Sequence, residues 1–84
     1  MPKLKITIYK TPTCPYCELA EHFFRSKDLS FQAFDVTKNP TKGQEVIAKS
    51  NQTSMPVIII NKNGQEKIFA GFNQTEIEDF LNKQ

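Results

Sequence analysis

Cysteine and histidine are scarce in this chain of 84 residues, which has two cysteines and one histidine. Both cysteines lie in Cys14-Pro15-Tyr16-Cys17, so they cannot connect distant segments as the disulfide frameworks of small secreted domains do. A zinc ribbon needs a second pair of ligands, and the single histidine, His22, falls in a predicted helix. We therefore interpret the cysteines as a reactive pair and keep half of a zinc site as the alternative.

Long apolar runs and blocks of like charge are also missing. No apolar run approaches the roughly 18 to 20 residues that cross a bilayer, and Met1–Lys5 lacks the apolar region of a signal peptide. The eleven basic and nine acidic residues are interspersed and give a formal net charge of +2, which favours neither nucleic acids nor membranes as partners. We expect one cytoplasmic domain over residues 1–84, acting as a monomer, with no nucleic-acid or membrane partner.

Four segments have the residue pattern of β-strands. Apolar and polar residues alternate over Leu4–Tyr9 and again over Ser30–Val36, which predicts two strands with one buried face each. Val57–Ile60 is a β-branched run, and Lys67–Ala70 follows it after Asn63-Gly64, the dipeptide most typical of a tight turn. The last two segments therefore predict an antiparallel hairpin.

Three segments have helix signals. Pro15 stands at a first helical position, and the apolar spacing after it predicts a helix that ends near Lys27. Asn39-Pro40 combines an N-cap residue with a proline and predicts a helix over residues 40–50. The capping box that starts at Thr75 predicts a closing helix. The apolar faces of the three helices consist of Leu19, Ala20, Phe23 and Phe24, then Val46 and Ile47, then Ile77, Phe80 and Leu81.

The predicted order of elements is βαβαββα. A parallel pair of strands from the first βαβ unit and an antiparallel hairpin together predict an α/β fold, a four-stranded mixed sheet flanked by helices. Large aromatic residues dominate burial in small domains. We therefore expect a core that contains Phe23, Phe24, Phe31, Phe34, Phe69 and Phe80.

The spacing of the two cysteines suits reversible disulfide formation. Residues three apart on a helix have Cβ atoms roughly 5 to 6 Å from each other, close to disulfide geometry. Cys14 precedes the predicted helix, where free backbone N–H groups and the helix dipole favour a thiolate, the nucleophilic form of cysteine. The pattern predicts Cys14 as the nucleophile and Cys17, one turn inside the helix, as the residue that resolves a mixed disulfide.

Three segments resemble motifs of the dithiol glutaredoxins, in the order and spacing of that family. Cys14-Pro15-Tyr16-Cys17 has the same four residues as the family's active-site tetrapeptide. Ser54-Met55-Pro56-Val57 is similar to its Thr-Val-Pro segment, and Ala70-Gly71-Phe72-Asn73-Gln74 is similar to its Gly-Gly-aromatic-Asp-Asp segment. The resemblance covers essentially the whole chain and implies a thioredoxin-like fold, with a cis peptide bond before Pro56.

The resemblance also implies glutathione-dependent reduction of protein disulfides and of glutathione mixed disulfides. Glutathione would be a reducing co-substrate, no cofactor would be bound permanently, and the partners would be disulfide-containing or glutathionylated proteins. The residues that the resemblance assigns to glutathione are Lys10, Thr11, Tyr16, Gln52, Met55, Pro56, Gly71, Phe72, Asn73 and Gln74.

Two of these assignments depart from the family's pattern. Lys10 lies one residue further from Cys14 than the family's lysine does, and Asn73-Gln74 stands where the family has two aspartates. Because neutral hydrogen bonds are weaker than charge-assisted ones, we expect weak binding of glutathione.

Two other functions fit the same residues. The first is a glutaredoxin-like redoxin that is reduced by thioredoxin reductase. The two departures favour this function, and so does the hairpin around Asn61–Gln65, which is long for a glutaredoxin. The second is a redox-inert binding module, since a fold alone does not establish an activity, although a dithiol at a predicted helix start argues against it. His22 lies beyond Cys17, and we interpret it as a solvated or core-edge histidine and not as a base for the thiols.

Overall fold

The computed structural model of the chain describes residues 4–51 and 55–82. Its elements in chain order are β1 (Leu4–Lys10), α1 (Pro15–Ser26), β2 (Gln32–Asp35), α2 (Pro40–Ser50), β3 (Val57–Lys62), β4 (Gln65–Ala70) and α3 (Gln74–Asn82). The strands form one sheet in the order β2-β1-β3-β4. β1 runs parallel to β2 and antiparallel to β3, and β4 runs antiparallel to β3. The predicted order of elements and the mixed sheet are confirmed.

β2 is shorter than the predicted strand over Ser30–Val36. It covers Gln32–Asp35 and pairs in parallel with the second half of β1. Its end is set by Asp35, whose carboxylate accepts hydrogen bonds from the backbone N–H and the hydroxyl of Thr37. An aspartate that binds the backbone two residues on favours a turn over a continued strand.

The hairpin strands are each two residues longer than predicted. β3 continues to Lys62 and β4 begins at Gln65, and these two residues pair with each other. The connection therefore consists of Asn63 and Gly64 alone, and the stretch around Asn61–Gln65 is mostly strand. Both turn residues have positive φ angles, 55° and 86°, which asparagine and glycine tolerate best and which match the twist of the flanking strands.

The starts of α1 and α2 agree with the sequence signals. Cys14 is the N-cap of α1, and Pro15 is its first residue. Asn39 is the N-cap of α2, where its side-chain oxygen accepts a hydrogen bond from the backbone N–H of Lys42 at 3.4 Å. Both caps satisfy a backbone donor that has no partner inside its helix.

The predicted start of α3 at Thr75 is wrong. α3 begins at Gln74, so Thr75 lies inside its first turn. The cap is Asn73, whose side-chain oxygen accepts from the backbone N–H of Glu76 at 3.2 Å and whose carbonyl accepts from that of Ile77 at 3.0 Å. Asparagine and threonine both cap helices well. Asn73 precedes Thr75 in the chain, and with Asn73 as the cap the helix begins earlier than predicted.

The sheet buries a larger apolar cluster on one face and a smaller one on the other. The larger cluster lies under α1 and α3 and contains Ile6, Ile8, Ala20, Phe23, Phe24, Ile58, Ile60, Phe69, Ile77 and Phe80. The smaller cluster lies under α2 and contains Tyr9, Val46, Val57 and Ile59. Of the six predicted core phenylalanines, Phe31 and Phe34 are only partly buried and pack against the two clusters from outside.

Two helix residues expected in the apolar faces are exposed. Leu19 is 52% exposed and Ile47 is 45% exposed. The buried side of α1 instead includes Glu21, because this carboxylate finds cationic partners there. Within residues 4–51 and 55–82, no helix has the length and apolar character needed to cross a membrane.

Candidate active site

The two cysteines form a disulfide at the start of α1. Cys14 caps the helix and Cys17 lies in its first turn, with their Cα atoms 5.2 Å apart. Cys17 is 1% exposed, whereas Cys14 is 9% exposed. Cys14 is therefore the more accessible residue of the pair, and Cys17 is the more shielded one.

The helix start provides a hydrogen-bond donor to the sulfur of Cys14. The backbone N–H of Cys17 points at Cys14 Sγ across 3.2 Å, and this N–H has no partner within the helix because it belongs to the first turn. The same donor and the positive end of the helix dipole would favour a negative charge on this sulfur once the disulfide is reduced.

The peptide bond between Met55 and Pro56 is cis, which confirms that implication of the resemblance. Pro56 is almost completely buried, and the carbonyl oxygen of Met55 lies 3.5 Å from Cys14 Sγ. The carbonyl of Pro56 accepts a hydrogen bond from the backbone N–H of Gly71 at 2.8 Å. The backbone therefore brings all three motif segments together beside the disulfide.

The side chains of the third motif are used mainly within the protein. Phe72 packs edge-on against Phe23, with ring centroids 5.6 Å apart. Asn73 caps α3, and the side-chain amide of Gln74 donates to the carboxylate of Glu78 at 2.7 Å. One polar side-chain atom of each residue, Asn73 Oδ1 and Gln74 Nε2, thus already has a partner in α3.

Lys10 is also engaged by another residue of the protein. Its Nζ lies 2.9 Å from Glu21 Oε1, and the second oxygen of Glu21 lies 3.2 Å from the guanidinium of Arg25. Glu21 is 8% exposed and is the buried charged residue among those that the structure describes. Its burial was not predicted, because a glutamate in a helix is most often solvated; the four-residue spacing of Glu21 and Arg25 indicates their ion pair but not that it is buried.

The remaining predicted glutathione residues lie around the disulfide or outside the described part of the chain. Tyr16 is 63% exposed between the two cysteines. Thr11 is half-buried and directly follows β1. Gln52 lies outside the described residues. His22 is exposed on α1, in agreement with its interpretation as a solvated residue.

A metal site was the alternative interpretation of the cysteine pair. Across residues 4–51 and 55–82, no group of three or more histidine, cysteine, aspartate or glutamate side chains is placed to hold a metal ion. The cysteines are bonded to each other in this structure.

The chain is similar to several known proteins of one family. The family model for glutaredoxin matches residues 6–64. A glutaredoxin-like protein of 8.6 kDa from the rubredoxin operon of Clostridium pasteurianum is 36% identical over 78 residues, 93% of this chain and 99% of that protein. Glutaredoxin 3 of Escherichia coli K12 is 39% identical over 56 residues, 67% of this chain and 68% of that protein.

Solved structures agree with this assignment. The crystal structure of the thioredoxin-like protein BC3987 superposes with a TM-score of 0.79 at 25% identity, covering 90% of this chain and 99% of that one. The fold is therefore thioredoxin-like, as the resemblance implied. With a family model that covers most of the chain and a relative aligned over nearly its whole length, this protein belongs to the glutaredoxin family.

Proposed function

We propose that the protein is a thiol–disulfide oxidoreductase that reduces protein disulfides and glutathione mixed disulfides. The observation that carries the proposal is the placement of Cys14 Sγ, which caps α1, receives the N–H of Cys17 and faces the carbonyl of Met55. Donors directed at this sulfur favour the thiolate that the reaction requires.

The proposed reaction transfers two electrons through the cysteine pair. The Cys14 thiolate attacks one sulfur of the substrate, so a mixed disulfide forms and the other substrate sulfur leaves as a thiolate. Cys17 loses its proton to solvent and attacks Cys14 Sγ, which releases the second substrate sulfur and closes the Cys14–Cys17 disulfide. The Cα separation of 5.2 Å lets this bond form within one helical turn.

The segment before Pro56 is suited to align a peptide substrate. The Met55 carbonyl lies beside the sulfur of Cys14, and Met55 is half-buried two residues before the start of β3. An extended peptide that paired with this backbone would bring its own disulfide to Cys14, as peptides do when they add to a strand edge.

Glutathione is the proposed reductant that restores the dithiol. Two molecules of glutathione are oxidised to one molecule of glutathione disulfide in each cycle, so no permanently bound cofactor and no second subunit is needed. A reducing compartment such as the cytoplasm supplies this thiol. Family membership supports the assignment.

A second candidate donor is thioredoxin reductase. The observation that favours it is the engagement of Lys10, Asn73 and Gln74 by groups of the protein itself. If these side chains hold glutathione poorly, a reductase that docks on the protein and passes electrons to the disulfide would be the better donor.

The donor is tested by steady-state reduction of a glutathione mixed disulfide. The assay is run once with glutathione and its reductase and once with thioredoxin reductase as the source of electrons. Turnover with glutathione supports the proposal, whereas turnover with thioredoxin reductase alone would assign the second function. Absence of turnover with both, and with dithiothreitol, would contradict an oxidoreductase function.

The two cysteines are expected to have separable roles. Cys14→Ser should abolish every activity, because no nucleophile remains. Cys17→Ser should block reduction of protein disulfides, which needs the resolving thiol, but should retain most of the reduction of glutathione mixed disulfides, which a second glutathione can complete. The measurement is the rate of each reaction at equal enzyme concentration. Survival of both activities in Cys17→Ser, or loss of both, would show that the two-route mechanism is wrong.

A further inference from the structure

The two oxygens of the buried Glu21 carboxylate are each paired with a cationic side chain. One oxygen is paired with Lys10 at 2.9 Å and the other with Arg25 at 3.2 Å. The side chain of Glu21 is 11% exposed, that of Lys10 is 32% exposed and that of Arg25 is 65% exposed. The Lys10 pair is therefore the more shielded of the two, and shielding from water strengthens an ion pair.

This pair is close to the two cysteines in the chain. Lys10 ends β1 four residues before Cys14, and Glu21 lies one helical turn beyond Cys17. Both side chains line a shallow depression of about 710 Å³ that Pro15, between the cysteines, also lines. A ligand that enters this depression meets the ammonium of Lys10 already paired with Glu21.

An anionic ligand must compete with Glu21 for Lys10. Glutathione carries two carboxylates, which an ammonium group attracts. The carboxylate of Glu21 has an advantage in this competition, since it is part of the same molecule and loses no translational or rotational freedom on pairing. The pair with Glu21 offsets the charge of Lys10 and occupies one of its three N–H donors, so Lys10 adds less to glutathione binding than an unpaired ammonium would.

We propose that Glu21 is a positioning residue that weakens glutathione binding by holding Lys10 in an internal ion pair. The inference rests on the proposed function, in which glutathione reaches the dithiol. Glu21 acts through Lys10, so its effect is on the affinity for the anionic donor and not on the chemistry of the cysteines.

The test measures the KM for glutathione in Glu21→Gln. The neutral amide binds an ammonium less tightly than a carboxylate does, so Lys10 becomes available to the ligand. KM should fall about threefold to tenfold, the effect of one partly exposed ion pair, while kcat changes by less than about twofold. The matched control is Glu45→Gln, which removes the carboxylate of the Lys42–Glu45 pair on α2, on the other side of the sheet, and should leave KM unchanged.

A second substitution separates this role from a structural one. In the double variant with Lys10→Met and Glu21→Gln, the decrease in KM for glutathione should disappear, because the ammonium of Lys10 is no longer present. An unchanged KM in Glu21→Gln, or a lowered KM that persists in the double variant, would overturn the inference. If Glu21→Gln does not fold, Glu21→Asp, which retracts the carboxylate by one methylene, is judged by the same criteria.

Reduction of a disulfide substrate with dithiothreitol as donor distinguishes a failure of the proposed oxidoreductase function from a failure of the proposed role of Glu21. A wild-type protein that is inactive with dithiothreitol contradicts the proposed function itself. A protein that is active with dithiothreitol, but whose KM for glutathione does not respond to Glu21→Gln, contradicts the role of Glu21 alone.

Discussion

Single side chains at the ends of elements determine the local geometry around the disulfide. Cys14 is both the cap of α1 and the more accessible residue of the pair, and its sulfur accepts the N–H of Cys17 that has no partner within the helix. Asp35 has a similar local role at the end of β2, where it fixes a turn through Thr37. In both cases a side-chain atom accepts a hydrogen bond from a backbone N–H that has no partner within the helix or strand.

The carboxyl group of Asp35 gives a prediction at this scale. The hydrogen bond from the Thr37 hydroxyl holds the pKa of Asp35 below its ordinary value. Because the folded pKa is the lower one, the stabilisation is present above the unfolded pKa of about 3.9 and is lost as the pH falls through the folded pKa. Thr37→Val should raise the pKa of Asp35 towards the ordinary value, measured by NMR titration of the side-chain carboxyl carbon.

A matched control for this titration is Thr41→Val, which replaces a threonine on α2 and should leave the Asp35 titration as it is in the wild type. A pKa of Asp35 that does not change in Thr37→Val would show that the backbone N–H groups, and not the hydroxyl, are responsible for the shift.

Helix starts are the elements on which the candidate site depends. α1 begins at the disulfide, and α3 begins at the motif loop that Gly71 joins to Pro56. Each start needs a cap for its free N–H groups, and in this chain the caps are Cys14 and Asn73. Asn73, which the family resemblance assigned to glutathione binding, thus has a structural role in α3.

Substitution of Asn73 should separate the capping role from ligand binding. Asn73→Ala removes the cap and should lower the free energy of unfolding by about 1 kcal/mol, whereas Asn73→Asp keeps an acceptor at the helix N-terminus and should retain stability. Asn73→Asp also adds the carboxylate that the family pattern has there, so we expect a lower KM for glutathione. Urea unfolding and steady-state kinetics measure the two effects.

The control is Gln74→Ala, which removes an exposed hydrogen bond within α3 and should change stability by less than about 0.5 kcal/mol. Equal losses in Asn73→Ala and Asn73→Asp would contradict the cap that the structure shows.

The whole molecule is held together mainly by the larger apolar cluster between the sheet and the pair α1 and α3. Phe24 has no exposed surface, and its ring contacts those of Phe23 and Phe31 at centroid distances of 5.3 and 6.1 Å. Small domains bury a modest fraction of their surface, so each large side chain in such a cluster contributes substantially.

Truncation of Phe24 tests this dependence. Phe24→Ala leaves a cavity in the larger cluster and should cost about 3 to 5 kcal/mol of the free energy of unfolding. That is a large share of the roughly 5 to 15 kcal/mol typical of natural domains. Leu19→Ala, on the same helix but on its exposed side, should cost less than about 0.5 kcal/mol. Urea unfolding measures both, and equal costs would contradict the burial pattern of α1.

The sequence by itself determined the features that depend on neighbouring residues. The seven elements, the turn at Asn63-Gly64, and the cap and proline at the starts of α1 and α2 all follow from patterns within a few positions. The position of the cysteine pair at a helix start is of this kind, which is why it could be predicted before the fold was known.

Only the tertiary structure decided which side chains meet across the fold. Leu19 and Glu21 are two positions apart on one helix, and no local pattern places the leucine outside and the glutamate inside. Glu21 is buried because the folded chain brings the ammonium of Lys10 within 2.9 Å of its carboxylate, and a buried charge is stable only with such a partner. Long-range pairing of this kind depends on the packing of α1 against the sheet, and it determines which residues near the dithiol remain available to a ligand.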